Sequence, residues 1–301
     1  MSRGDAPDRR TQWAGIALVN LATLTWATNM ALGRYLRGDV GPLTLAAARF
    51  LIAAPIFVTL LSRQPAEERR PGRDRWLLLA MAISGVVVFA PTLYLGLRFT
   101  TTVNATLING FGPLVTGLLA VLLIGEPMSR RQVGGALVGL AGITVLISGG
   151  SPDFWREAQV NVGDLITLGA VALWSLYSVI GRRTMRHRSA LSATALSALM
   201  GLPLLLLAAA WEMQHLPPEV SPGLFLALLY IGVAPTVGGF LAWNAGVRRL
   251  GASGAMVFYN TLPLYGALIG YLALGEPVGW AHLAGGVLIV GGGLWAARRG
   301  T

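Results

Sequence analysis

The 301 residues contain no cysteine and no lysine, and only 12% are charged. The missing cysteines exclude disulfides, thiolate metal sites and thiol nucleophiles together. A soluble domain of this length carries roughly twice that charged fraction. What fills the space is apolar: 54% of residues, with a mean hydropathy of +0.63. The apolar residues come in runs of about twenty, the length a helix needs to cross a hydrocarbon core of about 30 Å. Outer-membrane barrels, which alternate in segments of about ten residues, do not fit. The expected fold is therefore an all-α membrane protein.

The net charge of +10 would suggest nucleic acid in a soluble chain. Here every basic residue is an arginine, and the arginines sit in short loops between apolar runs. That placement reports membrane orientation, not nucleic-acid binding. Ten helices are expected, at about 12–36, 42–62, 74–98, 102–124, 130–148, 161–183, 188–211, 222–247, 252–274 and 279–298. With these spans, eighteen arginines fall on one side and four on the other, while Arg49 lies inside the second span. Both termini are expected on the cytoplasmic face.

The chain also repeats itself at an offset of about 148 to 150 residues. Trp26, Gly33 and Arg34 recur as Trp174, Gly181 and Arg182; Pro55 recurs as Pro203 and Pro113 as Pro263. Residues 105–142 and 255–292 share ten identities, among them both Gly-Glu-Pro turns and the pairs Gly135 with Gly285 and Gly142 with Gly292. The organisation read from this is a tail at 1–11, a five-helix repeat at 12–148, a periplasmic linker at 149–160 and a second repeat at 161–298. Five is odd, so the second copy enters the membrane from the opposite side. Inverted repeats of this kind build alternating-access transporters that bind solute near the midplane between the copies.

The blocks Gly163–Arg183, Asn104–Leu114 with Gly125-Glu126-Pro127, and Arg49-Phe-Leu-Ile-Ala resemble the EamA-type, ten-helix branch of the drug/metabolite transporter superfamily, and within it YddG-type exporters of aromatic amino acids. The resemblance implies a 5+5 bundle in a bacterial inner membrane, with a central cavity lined mainly by helices one, three, four, six, eight and nine. It also implies export as the direction of transport. Multidrug or other metabolite carriers of the same superfamily are the alternative.

Candidate solute contacts are polar or aromatic residues that face an equally unusual residue in the other copy. Four pairs emerge: Trp26 with Trp174, Asn29 with Tyr177, Tyr94 with Asn244, and Asn109 with Tyr259, with Asn260 adjoining. Uncharged polar groups at such depth face the bundle interior, because hydrocarbon offers them no partner. Pro113 and Pro263 each remove a backbone bond to the carbonyl four residues earlier, which belongs to Asn109 or Tyr259. These two, with Pro91 and Pro235, are the expected kink or gating positions. Arg49 is read as snorkelling to the interface or packing against a carbonyl, with solute binding as the lesser alternative. Glu126 and Glu276 are read as caps or loop partners and not as proton carriers, and the glycines of helices five and ten as close-packing sites in a scaffold.

No acidic residue is expected at mid-depth in any span, and no lysine or arginine is expected in the cavity. Polycationic drugs and phosphorylated solutes are thereby disfavoured, which leaves small neutral or zwitterionic metabolites, amino acids among them. The same absence points to facilitated flux without proton coupling. No cofactor is called for, and the cavity needs only one chain. The chain is read as a non-enzyme: a serine protease dyad of Ser253 and His282 would place its members on opposite faces of the bilayer, against a required reach of about 3 Å.

Overall fold

The computed structural model describes residues 9–125, 129–151, 160–259 and 261–297. Among them there is helix and no strand. The elements are α1 (Arg9–Tyr35), α2 (Pro42–Ser62), α3 (Arg75–Met81), α4 (Phe89–Phe99), α5 (Thr102–Asn109), α6 (Gly112–Ile124), α7 (Arg130–Ile147), α8 (Val162–Thr184), α9 (Ala190–His215), α10 (Pro222–Val233), α11 (Gly239–Tyr259), α12 (Leu262–Leu274) and α13 (Trp280–Ala297). Wide π-helical turns at Ala82–Val88 and Ala234–Gly238 join α3 to α4 and α10 to α11. They end at matched positions of the two copies, 88 and 238. Among the described residues, eight helices or helix chains have the length and apolarity to cross a membrane, and Leu262–Leu274 and Trp280–Trp295 are shorter apolar helices.

The surface has the pattern of a lipid-facing bundle. Leucines and valines stand out along the shafts, Leu207 and Leu272 at 70% exposure. Exposed rings cluster near helix ends: Trp13 and Trp76 near one end of the bundle, Tyr35, Trp211 and Trp280 near the other. Such amphipathic rings suit the headgroup level on both faces of a bilayer.

Sequence and structure differ where the eighth and ninth helices were expected to part. The backbone stays helical through Gly239–Tyr259 without the expected gap between 247 and 252. The element is nevertheless not a rod. A straight helix would separate residues 243 and 259 by about 24 Å, yet the rings of Trp243 and Tyr259 lie 5.7 Å apart. Gly239 sits against Trp26, Gly246 against Val19, and Leu250 against Gly15, so α11 first runs antiparallel to α1. Tyr259 is then back beside Trp26, ring to ring at 6.1 Å. The chain therefore reverses between Leu250 and Tyr259.

The repeat is visible in the α7–α13 pair. A Cβ placed on Gly142 would come within 2.7 Å of the Gly285 carbonyl, and one on Gly292 within 2.6 Å of the Gly135 carbonyl. The repeat offset converts the first contact into the second with the partners exchanged, which is what a two-fold relation between antiparallel copies produces. The glycine scaffold thus packs backbone on backbone, with Gly291 standing clear of the contact. Gly142→Leu is expected to lower stability by about 1–3 kcal/mol through overpacking, measured as the melting temperature in detergent. Gly291→Leu, which meets open space, is expected to change it little.

Helix starts in one copy are held by glutamates from the other. Glu212, at the end of α9, accepts from the N–H groups of Leu43 and Thr44 at 3.1 and 2.7 Å. Glu68, after α2, accepts from the Ser189 N–H at 2.9 Å. Glu276 accepts from Thr102 and Val103 at 2.8 and 3.0 Å. A carboxylate suits these sites because the first N–H groups of a helix have no partner within it and carry partial positive charge. Glu276 is thus a cap, as expected from sequence, but for α5 across the bundle. Glu126 lies outside the described residues.

Candidate solute cavity

Three neighbouring hollows, of about 230, 70 and 70 Å³, lie between the two copies. Trp26 and Trp174 line all three, so they divide one cleft. One wall carries Trp26, Trp243 and Tyr259, with ring centroids 5.6 to 6.1 Å apart. The other carries Phe89, Trp174 and Tyr177, where Trp174 stacks on Tyr177 at 5.2 Å and lies 5.1 Å from Phe89. Trp26 is pinned from α1 to the π turn by donating from Nε1 to the Pro235 carbonyl at 3.2 Å.

The structure brings most of the candidate residues together here. Trp26, Trp174, Tyr177, Asn244 and Tyr259 line the largest hollow, and Asn29 and Asn109 line a smaller one. Asn109 donates from Nδ2 to the Ala105 carbonyl at 2.9 Å, and its side-chain oxygen takes no donor from the described residues. Tyr94 differs from expectation. It lines none of these hollows, is 2% exposed, and stands behind the wall, donating to Asn29 Oδ1 at 2.7 Å. Asn260 lies outside the described residues.

The prolines act by different means. Pro113 and Pro263 lie in the first turn of α6 and α12, where a missing N–H leaves nothing unpaired. The expected kinks are therefore breaks, after Asn109 and after Tyr259, at the depth of the rings. Pro235 sits in a π turn and would leave the Ile231 carbonyl without its usual donor. Thr236 fills that gap by donating from Oγ1 at 2.7 Å. Pro91 is buried in the first turn of α4, directly after the other π turn.

Arg49 also departs from expectation. It does not reach an interface but is 9% exposed, donates from Nε to Thr236 Oγ1 at 2.9 Å and from Nη1 to the Tyr94 hydroxyl at 3.2 Å, and forms part of the wall of both smaller hollows. Trp243, Phe89, Phe240 and Thr236 also line the hollows.

The two ends of the cleft are unlike. Toward one end its wall continues through Asn244, Met81 and Thr116 to Arg182 and Met185 at the end of α8. Beyond the hollows, toward the opposite end of the bundle, side chains tie the helices to one another. Arg34 donates to the carbonyls of Leu97 and Arg98, both at 3.0 Å, with its Nε 3.9 Å from Glu276. Asp164, 2% exposed, accepts from the Thr100 hydroxyl and from Asn104. Apart from this cleft, His282 Nδ1 accepts from the Gly279 N–H at the start of α13, and the Ser253 side chain lies outside the described residues.

A helical bundle with a lipid-facing surface, two related halves and an aromatic cleft between them defines a membrane carrier of small molecules. The EamA-like transporter family matches the chain twice, on residues 13–148 and 161–297. The chain belongs to that family, within the drug/metabolite transporter superfamily. It is similar to YyaM of Bacillus subtilis (strain 168), an uncharacterized transporter, at 29% identity over 94% of this chain and 92% of the relative. It is also similar to the S-adenosylmethionine/S-adenosylhomocysteine transporter of Chlamydia trachomatis serovar D, at 26% identity over 87% and 82%. A crystal structure of a protein 26% identical matches with a TM-score of 0.63, covering 95% of this chain and 96% of its own. The relatives thus carry the family; none of these names is that of an aromatic amino acid exporter.

Proposed function

We propose that the protein carries small zwitterionic metabolites bearing a flat ring, by alternating access, across the inner membrane of a bacterium. The observation that carries this reading is the cleft itself: two facing groups of rings, with Asn29, Asn109 and Asn244 among them and no carboxylate in the walls among the described residues. Rings accept a flat apolar group at low entropic cost, and amides supply donors and acceptors for an amino acid head. The absence of a carboxylate disfavours cations such as lysine. Aromatic amino acids belong to this class. So does S-adenosylhomocysteine, which joins an amino acid to a purine, and the Chlamydia relatives support its inclusion.

In this reading ten spans form two inverted five-helix units, with both termini cytoplasmic and one chain sufficient. The open end of the cleft, at Arg182, then faces the cytoplasm, ready to load a solute for export. The buried carboxylates Asp164, Glu212 and Glu276 are spent on helix starts and hydrogen bonds at the ends of the bundle, so flux follows the solute gradient. The test is flux of labelled tryptophan, phenylalanine, S-adenosylhomocysteine, glutamate and lysine into proteoliposomes of the pure protein. The ring-bearing neutral solutes are expected to move, with no uphill accumulation under an imposed pH gradient. Movement of glutamate and lysine alone would overturn the solute class, and pH-driven accumulation would overturn the uncoupled mechanism.

A further inference from the structure

We infer that Arg49 is an anion subsite at the inner end of the cleft, where it holds the carboxylate of the transported solute. The inference rests on the transport reading for the identity of that solute, and on the geometry below for the site.

The guanidinium is fixed by groups that cannot neutralise it. The Thr236 hydroxyl gives its proton to the Ile231 carbonyl, and the Tyr94 hydroxyl gives its own to Asn29 Oδ1. Each therefore turns a lone pair to Arg49, one to Nε and one to Nη1. The guanidinium carbon lies 5.1 Å from the Phe50 ring centroid and 6.0 Å from that of Tyr94. All these partners are uncharged. Arg34 meets Glu276 and Arg188 meets Asp74, but no acidic group lies within ion-pair distance of Arg49 among the described residues.

A guanidinium has five N–H donors. Two are used here, leaving one on Nη1 and both on Nη2 without a protein acceptor among the described residues. Arg49 is 9% exposed and forms part of the wall of both smaller hollows. A buried cation without a counter-charge is costly in a membrane interior. A purely structural link between α2, α4 and the π turn would be served by a neutral amide. A planar donor set held by two hydroxyls, with free N–H groups and an uncancelled charge, suits a carboxylate. Trp26 and Trp174 line the same hollows, so a solute anchored at Arg49 places its ring between them.

Indole-3-acetate and indole-3-acetamide differ in charge at one group, and calorimetry on the purified protein reads their binding without requiring transport. Indole-3-acetate is expected to bind about tenfold more tightly, the scale of one charge-assisted hydrogen bond over a neutral one. Arg49→Gln, judged folded by gel filtration and melting temperature, is expected to bind both alike. Arg49→Lys, which keeps the charge and loses the fork, is expected to retain part of the preference, and it serves as the second variant should Arg49→Gln fail to fold. Equal binding by the unaltered protein, or no binding of either compound, would overturn the inference. So would a preference that survives unchanged in either variant, since the anion would then sit elsewhere on the wall, beside Arg182. Failure of amino acid flux with the carboxylate preference intact would leave this subsite standing and remove the solute class instead.

Discussion

Trp174→Ala is expected to raise the half-saturating concentration for tryptophan flux by about ten- to a hundredfold while leaving the protein folded. Trp174 lines every part of the cleft, stacks on Tyr177 and touches Phe89, but makes no hydrogen bond from its ring nitrogen among the described residues. Its loss therefore removes a face for the solute and one ring contact with Phe89, but cuts no hydrogen bond between helices. Burial of a large side chain contributes about 1.5–3 kcal/mol and an aromatic pair about 0.5–1.5 kcal/mol beyond it. A fraction of that sum, felt by the solute, accounts for the stated range at about 1.4 kcal/mol per factor of ten. Trp174→Phe is expected to recover most of the affinity. Trp26→Ala supplies the contrast: it also forfeits the bond to the Pro235 carbonyl and the contacts with Trp243 and Tyr259, so its melting temperature is expected to fall together with its flux. If Trp174→Ala carried tryptophan with unchanged half-saturation, the rings would be packing and not a binding surface.

The sequence made the bundle and much of the cleft legible for one reason: the repeat compares the chain with itself. Trp26 and Trp174, far apart in the chain, line one cavity, and the glycine pairs of α7 and α13 meet crosswise. Trp243 escaped because its matched position is Leu93, so pairing gave no signal. Helical spacing could have found it, since Phe240, Trp243 and Asn244 lie three and four residues apart on one face. Tyr94 and Arg49 are placed differently from expectation, and for one reason. Depth along a helix was legible, but the direction of each side chain was not. It is set by Thr236 and Asn29, which come from other elements. The reversal in α11 was expected, whereas its continuous helical backbone was not, because Arg248 and Arg249 interrupt the apolar run and read as a loop between two spans.

The absence of native cysteine makes the closed end of the cleft directly testable by single-thiol labelling. Glu276 holds two N–H groups at the start of α5 and lies 3.9 Å from Arg34, which is itself tied to the end of α4. It is 7% exposed, so both bonds are made away from water. Hydrogen bonds to a charged partner contribute about 1.5–3 kcal/mol each. Replacing the carboxylate by an amide leaves one acceptor oxygen for two donors. Glu276→Gln is therefore expected to cost the closed end about 1.5–3 kcal/mol. A shift of that size moves a two-state equilibrium by about ten- to a hundredfold. With Asn109→Cys as the reporter on the cleft wall, a membrane-impermeant thiol reagent is expected to react from the Arg182 end alone when Glu276 is intact, and from both ends when Glu276 is replaced by glutamine. Asn109 suits this role because it lines the smaller hollow and its one described hydrogen bond is local, to Ala105. Glu212→Gln, which loosens a cap on α2 away from the cleft walls, is the control and is expected to cost stability with little change in sidedness. Should the reagent reach the introduced thiol equally from both faces before Glu276 is altered, the closed end would not be a gate. Should Glu276→Gln leave labelling one-sided, the cap would be structural alone, and the change of access would have to originate in the breaks after Asn109 and Tyr259.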